Sequence, residues 1–384
     1  MKGFLNAKIY VDGKGVIRTN LGVTNGKIAY LGEDVKDIES FGSFGDITVV
    51  PGFIDQHTHG AAGGDGMDGS VEAIEKISNA LASEGTVGYL VTTMTQSVPN
   101  LQKAVKAVKE YKAENRETGA EVLGVHLEGP FISKDYIGAQ PIEYVINPSV
   151  EIYDLLNRES GDCISIVSMA PEIEGAEEFI KHAIKNGTVV SVGHSGAGYE
   201  DVFAAGEWGA TCITHTYNAQ KGVHHREVGV AGSAMLLDNY YCELICETIH
   251  VSVPAIKLVI KNKPHDKVVL VTDAMRAKHL PDGVYDLGGQ NVYVNNGEAR
   301  LANGSLAASL LKMNVAVKNL VKNGIPFTDA IDLATINPAR NLKIDKERGS
   351  IKLGKRADFT LLDDDFNVVA TIRNGKIIYT KEEL

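Results

Sequence analysis

The chain has 384 residues, 44% hydrophobic and 23% charged, the balance of an ordinary globular protein. Its length exceeds the roughly 250 residues of a typical α/β barrel by enough for a second, small unit. The formal net charge of -11 argues against general affinity for nucleic acid or an anionic membrane surface.

Cys163, Cys212, Cys242 and Cys246 form no Cys-x-x-Cys pair, which predicts reduced thiols in a cytoplasmic protein. The opening MKGFLNAKIYVDGKG lacks an uninterrupted apolar region, and no stretch approaches about 20 apolar residues. Neither a signal peptide nor a membrane span is expected.

The first element signal is Asn25-Gly26, set between short β-prone runs in 23–30. Both residues tolerate positive φ, so the pair marks a hairpin. A similar segment holding Asn374-Gly375 stands in 372–379. Two such hairpins predict a small β-sandwich domain built from both termini, residues 1–51 plus 348–384. The chain leaves it at Pro51-Gly52 and returns near 349–354, so residues 52–347 form the main body.

That body alternates. Helical patterns at 71–84, 100–112 and 176–186 interleave with apolar runs at 119–125, 188–192, 212–214 and 267–271. Alternation predicts parallel βαβ units and an α/β fold, a (β/α)8 TIM-like barrel. A doubly wound open sheet competes, but no Gly-x-Gly-x-x-Gly fingerprint follows the first strand. In either fold reactive groups gather beyond the carboxyl ends of strands, and the ionisable residues fall there.

His57-Thr58-His59 comes first, after Pro51-Gly52. Strand residues two apart share a side, so both imidazoles can reach one ion. Glu128, in His126-Leu127-Glu128-Gly129-Pro130, can bind one metal or bridge two; the alternative is a surface or capping glutamate. His126 shares its side as a supporting or core residue. His194 and His215 follow two later strands. Alone, each would more often be a structural histidine. With Glu128 they make three protein ligands, the number expected of a catalytic zinc with one position open to water. Asp273, after the run 267–271, is placed to act as general base, its alternative being a helix N-cap. Lys221, His224, His225 and Arg226 form the most basic short stretch, suited to phosphate or simply solvated.

These residues resemble the amidohydrolase superfamily and, within it, the N-acetylglucosamine-6-phosphate deacetylases. The resemblance runs over nearly the whole chain, through PGFIDQHTHG at 51–60, HLEGPF at 126–131, GHS at 193–195, THTYNA at 214–219, HHRE at 224–227, VTDAM at 271–275 and GKRADF at 354–359. It implies metal-dependent hydrolysis of an acetamide on an amino-sugar phosphate. Glu128, His194 and His215 would bind the main ion, His57 and His59 a second, and Asp273 would act as base and then acid. One or two divalent ions per subunit are implied, zinc or iron first, with manganese or cobalt as alternatives.

Asn218, Ala219, Arg226, His250, Gln140 and Leu306 would contact the sugar phosphate, with His225 and Lys221 as further phosphate-loop candidates. The resemblance also implies a homodimer in which Arg226 reaches the neighbouring active site. Three positions depart from the family pattern. Gln140 stands where some members carry His, Glu247-Thr248-Ile249 where an Asp-Gly pair is common, and Ala308 where glycine is frequent. An N-acetylgalactosamine-6-phosphate deacetylase, another N-acyl or cyclic-amide hydrolase, and a non-catalytic scaffold are the competing readings. No strand lysine of the hydantoinase type is seen, and the full ligand set disfavours a scaffold.

Overall fold

The computed structural model describes residues 1–34 and 37–381. Eight parallel strands pair in chain order: Phe53–Thr58, Thr86–Thr92, Glu121–Glu128, Ile164–Met169, Val189–Val192, Cys212–Ile213, Tyr241–Ile245 and Val268–Val271. Hydrogen bonds across the seam bring the last to the first. Thr272 Oγ1 donates to Asp55 Oδ2 at 2.6 Å and the Asp273 amide to the His57 carbonyl at 2.8 Å. The fold is the expected α/β barrel.

Burial explains the continuous apolar runs. Every residue of Thr86–Thr92 and Val268–Val271 is buried, as strands covered on both faces require. The first helix, Val71–Ala82, starts at Ser70, whose side chain accepts the Ala73 amide. It stops short of the predicted 84, and Glu84 turns inward instead. There Glu84 Oε1 lies 3.1 Å from Lys278 Nζ and 2.7 Å from His279 Nε2, and both Glu84 and Lys278 side chains are fully buried.

Burial alone would raise the Glu84 pKa, but Lys278 and His279 outweigh it and hold it below 4.5. Such a carboxylate stabilises the fold above pH 4.5, and the contribution is lost as pH falls through its lower folded-state value. Lys278→Ala strands that charge and should cost about 3–5 kcal/mol, read as a lower urea midpoint at neutral pH. The deficit should shrink in acid; a loss under about 1 kcal/mol at neutral pH would show that the pair is not what holds this corner.

The barrel interior contains a hydrogen-bonded polar layer. His126 Nε2 meets Ser168 Oγ at 2.7 Å, Ser168 meets Thr214 Oγ1 at 2.7 Å, and Ser191 meets Thr214 at 2.6 Å. Gln56 Nε2 donates to Glu243 Oε1 at 2.7 Å. A satisfied buried network of this kind rigidifies the floor above which the strand ends open.

The terminal strands form one sheet. Its order is Lys376–Thr380, Val368–Arg373, Phe359–Leu362, Thr48–Pro51, Lys2–Val11, Gly15–Thr24, Lys27–Gly32, with Glu39–Ser40 also on Lys2–Val11. Both Asn-Gly turns take positive φ at both residues, Asn25 51° with Gly26 71° and Asn374 53° with Gly375 74°. The turns meet through Ala357, whose amide reaches Gly26 O and whose carbonyl takes the Gly375 amide, each at 2.8 Å. So the sandwich expected from sequence is built from a single hydrogen-bonded sheet whose far ends come together. Phe4, Ile9, Leu21, Val49, Phe359 and Leu361 share its core.

An antiparallel meander, Gly283–Leu287, Gln290–Asn295 and Glu298–Leu301, was not foreseen. It packs on Met94, Met275 and Ala307 at the barrel mouth. Among the described residues, no helix is long and apolar enough to cross a membrane.

Candidate active site

The strand ends aim six side chains at one place. Glu128 Oε1 lies 3.2 Å from His194 Nε2 and 3.1 Å from His215 Nε2, and these two nitrogens are 3.1 Å apart. On the other side, His57 Nε2 is 3.4 Å from Glu128 Oε1, and His59 Nε2 is 3.4 Å from Oε2. Asp273 Oδ1 stands 3.2 Å from His59 Nε2 and 3.6 Å from His57 Nε2. The Glu128 carboxylate thus sits between two histidine pairs.

This arrangement fits metal ions. Ligands bonded at 2.0–2.1 Å to a tetrahedral ion lie about 3.3 Å from one another, close to the spacings here. His57 Nε2 is fully buried and has no hydrogen-bond partner among the described residues. His194 Nδ1 faces the Tyr136 carbonyl at 3.0 Å, so it carries the proton and leaves the Nε2 lone pair free toward Glu128.

The electrostatics agree. Burial lowers the His57 pKa, but Asp273, Glu128 and Glu243 outweigh it and push it well above the ordinary value. Burial raises Glu128 and Asp273, yet His57 with His194 and His215 holds Glu128 well below the carboxylate range, and His57 with His59 holds Asp273 at about 2. A pocket of buried carboxylates draws positive charge to itself.

Backbone strain marks the same residues. His194 (φ 48°), His215 (φ 26°), Ala219 (φ 47°) and Asp273 (φ 47°) occupy the left-handed region, at about 1–3 kcal/mol each. Each comes shortly after a barrel strand, where the chain turns. Gly129 (φ 72°) follows Glu128, and a Cβ there would stand 2.1 Å from Thr95 Oγ1.

Over the carboxylates opens a cavity of about 190 Å³. Of the predicted residues, His59, Glu128, His194, His215, Asp273, Gln140, Asn218, Ala219, His250 and Leu306 line it. His57 lies beneath. Gln140 Nε2 donates to Glu128 Oε2 at 2.7 Å while its Oε1 accepts the Thr95 amide at 2.7 Å, so this glutamine steadies the carboxylate. Thr248 (φ 75°) and Ala308 (φ 55°) keep left-handed backbone, so both loops retain a path that glycine takes without strain.

Arg226, His225 and Lys221 stand apart from the cavity lining within one chain. Arg226 Nη1 meets His225 Nε2 at 2.7 Å on the exposed loop. His126 uses both nitrogens in the barrel floor, against Gln56 O at 3.1 Å and Ser168 Oγ at 2.7 Å, and burial pushes its pKa down to about 4.

Sequence reasoning missed Glu243, Met94 and Leu287. The last two line the cavity, and Glu243 lies under it. A charged residue inside the apolar run 241–245 was the available signal for Glu243. A larger cleft of about 380 Å³ lies where the barrel meets the terminal sheet, but its charges are largely paired, Arg356 with Glu121 and Lys376 with Glu117.

Comparison with known proteins places this geometry. The family model described as "Amidohydrolase family" matches residues 48–378. The N-acetylglucosamine-6-phosphate deacetylase of Bacillus subtilis is 40% identical over 341 residues, covering 88% of this chain and 86% of that protein. The N-acetylgalactosamine-6-phosphate deacetylase of Escherichia coli O157:H7 is 37% identical over 321 residues, covering 83% and 85%. The solved N-acetylglucosamine-6-phosphate deacetylase of Thermotoga maritima superposes with a TM-score of 0.90 at 34% identity, covering 99% of this chain and 100% of that one. With a family match across most of its length and a metal-ready set at its barrel mouth, this chain belongs to the amidohydrolase family.

Proposed function

We propose that the chain hydrolyses the acetamide of N-acetyl-D-glucosamine 6-phosphate to D-glucosamine 6-phosphate and acetate. The carrying observation is the Glu128 carboxylate set between two histidine pairs, with Asp273 beside it under a small cavity. The printed activity of the Bacillus subtilis and Thermotoga maritima relatives supports the substrate.

Glu128, His194 and His215 would hold one divalent ion, and His57, His59 and the same Glu128 a second. When bound, such an ion lowers the pKa of water from 15.7 toward roughly 7 and polarises a carbonyl oxygen. Asp273 Oδ1 takes the proton of the attacking water and passes it to the departing amine nitrogen. Water adds across the amide, so no acyl group rests on the protein. Gln140, Asn218, Ala219, His250 and Leu306 position the sugar, and Met94 and Leu287 complete an apolar wall. Arg226, with His225 and Lys221, binds the phosphate from the exposed loop of a partner subunit in a homodimer. The enzyme works in the cytoplasm, with zinc or iron as its first-choice metal.

The galactosamine epimer is the second reading, favoured by the Escherichia coli relative. Acetate release from the two epimeric 6-phosphates and from unphosphorylated N-acetylglucosamine separates them. The glucosamine phosphate should give the highest kcat/KM. Faster release from its epimer would change the substrate and keep the reaction. No release from either phosphate would end the proposal.

A further inference from the structure

We infer that Glu243 is the positioning residue that makes the His57–His59 side of the centre a second cation site, acting through the His57 imidazole. The inference rests on the metal-hydrolase reading above and deepens it.

Glu243 lies on the seventh barrel strand, Tyr241–Ile245, with a fully buried side chain among apolar neighbours in sequence. A carboxylate so placed is costly unless paired and hydrogen-bonded. Three groups satisfy it. Gln56 Nε2 donates to Oε1 at 2.7 Å, and Oε2 lies 3.0 Å from His57 Nδ1 and 3.1 Å from the His215 amide.

The chemistry of that contact fixes the imidazole. An ionised carboxylate only accepts, so when the His57 ring is neutral its proton sits on Nδ1 and Nε2 is the nitrogen that offers a lone pair. That nitrogen points at Glu128 Oε1 and Asp273 Oδ1, 3.4 and 3.6 Å away, and has no hydrogen-bond partner among the described residues. An imidazole oriented by a carboxylate behind it, with its far nitrogen bare, is prepared to ligate.

The two sides of the centre differ in how they are oriented. His194 is held by the Tyr136 backbone carbonyl, which no substitution at 136 removes. His57 is held by a side chain. His59 Nδ1 and His215 Nδ1 have no hydrogen-bond partner among the described residues, so neither supplies an alternative anchor. Residue 243 reaches the first set only through the His215 backbone amide and touches no imidazole nitrogen there, so the ion between Glu128, His194 and His215 depends on it less than the ion between His57, His59 and Glu128, whose His57 ring it holds directly. Glu243 also adds negative charge behind the second position, which favours a dication there.

Zinc(II) affinities of the full-length protein, read by competition with a chromogenic chelator, test this. Wild type should bind two ions per subunit. Glu243→Gln keeps the side-chain shape, and its melting temperature controls for folding. It should hold the first ion within about 3-fold of wild type and the second about 10- to 100-fold more weakly, the range for loss of an orienting partner. In a His57→Ala background, adding Glu243→Gln should weaken the second ion no further, because both changes act on one ligand.

Unchanged second-ion affinity in Glu243→Gln overturns the inference. So does equal weakening of both ions, the mark of a merely structural role, and so does an additive loss with His57→Ala. A wild type that binds one ion overturns the inference while leaving the hydrolase reading intact. A wild type that binds none and releases no acetate brings down both.

Discussion

Asp273→Asn should lower deacetylation turnover by at least about 100-fold while bound metal and fold remain. The expectation comes from position and charge together. The Asp273 amide donates to the His57 carbonyl at 2.8 Å and its carbonyl accepts the Ser309 amide at 2.7 Å, so the residue is pinned by its backbone. Its φ of 47° suits asparagine as well as aspartate, which preserves the loop. What the amide loses is the ability to take a proton. Aspartate here is held at about 2 because His57 and His59 outweigh its burial, so it is an anion at neutral pH. Metal analysis beside steady-state kinetics reads the result. Turnover near wild type in the metal-loaded variant would remove Asp273 from the proton transfer.

Stripping divalent ions with a chelator should reduce acetate release by at least about 1,000-fold, with recovery on adding back zinc, iron, manganese or cobalt. A catalytic ion supplies several kcal/mol of transition-state stabilisation, and about 4 kcal/mol corresponds to that factor. The structure gives the loss a second physical reason. Without cations, the Glu128 and Asp273 carboxylates stand buried 3.2–3.6 Å from the His57 and His59 imidazoles, and their charge outweighs burial and favours the protonated form of both rings. Protonated histidines cannot ligate, so reloading should be slower in acid than at neutral pH. Full activity after exhaustive chelation, with metal confirmed absent, would defeat a metal-dependent mechanism. Which ion restores the highest rate identifies the preferred metal.

Much of this protein was legible before any coordinates. Local rules were enough for the Asn-Gly turns at 25–26 and 374–375, since positive φ is a property of those residues themselves. Burial on both faces made the barrel strands read as apolar runs, and the reactive residues followed them because strand ends face the barrel mouth. His57 and His59 were readable as a pair from strand periodicity alone. Roles for Gln140, Asn218, His250 and Leu306 came only through family resemblance.

Other features needed three dimensions. Glu84 looked like the end of a helix, and its pairing with Lys278 spans 194 residues. The meander at 283–301 carries turns and strands whose placement over the cavity depends on packing against Met94 and Met275. Glu243 reads as one charge in a strand until strands one, six and seven are brought side by side.

The sequence by itself determined the alternating barrel, the terminal hairpins and the ligand types, because periodicity, turn chemistry and donor atoms are written residue by residue. Only the tertiary structure decided that Glu128 lies between two histidine pairs, that His57 turns an Nε2 without a hydrogen-bond partner among the described residues inward, and that Arg226 stands apart from the cavity of its own chain. The physical reason is that hydrogen bonds and ligand spacings act over about 3 Å, and residues far apart in the chain come that close only through the closure of the barrel.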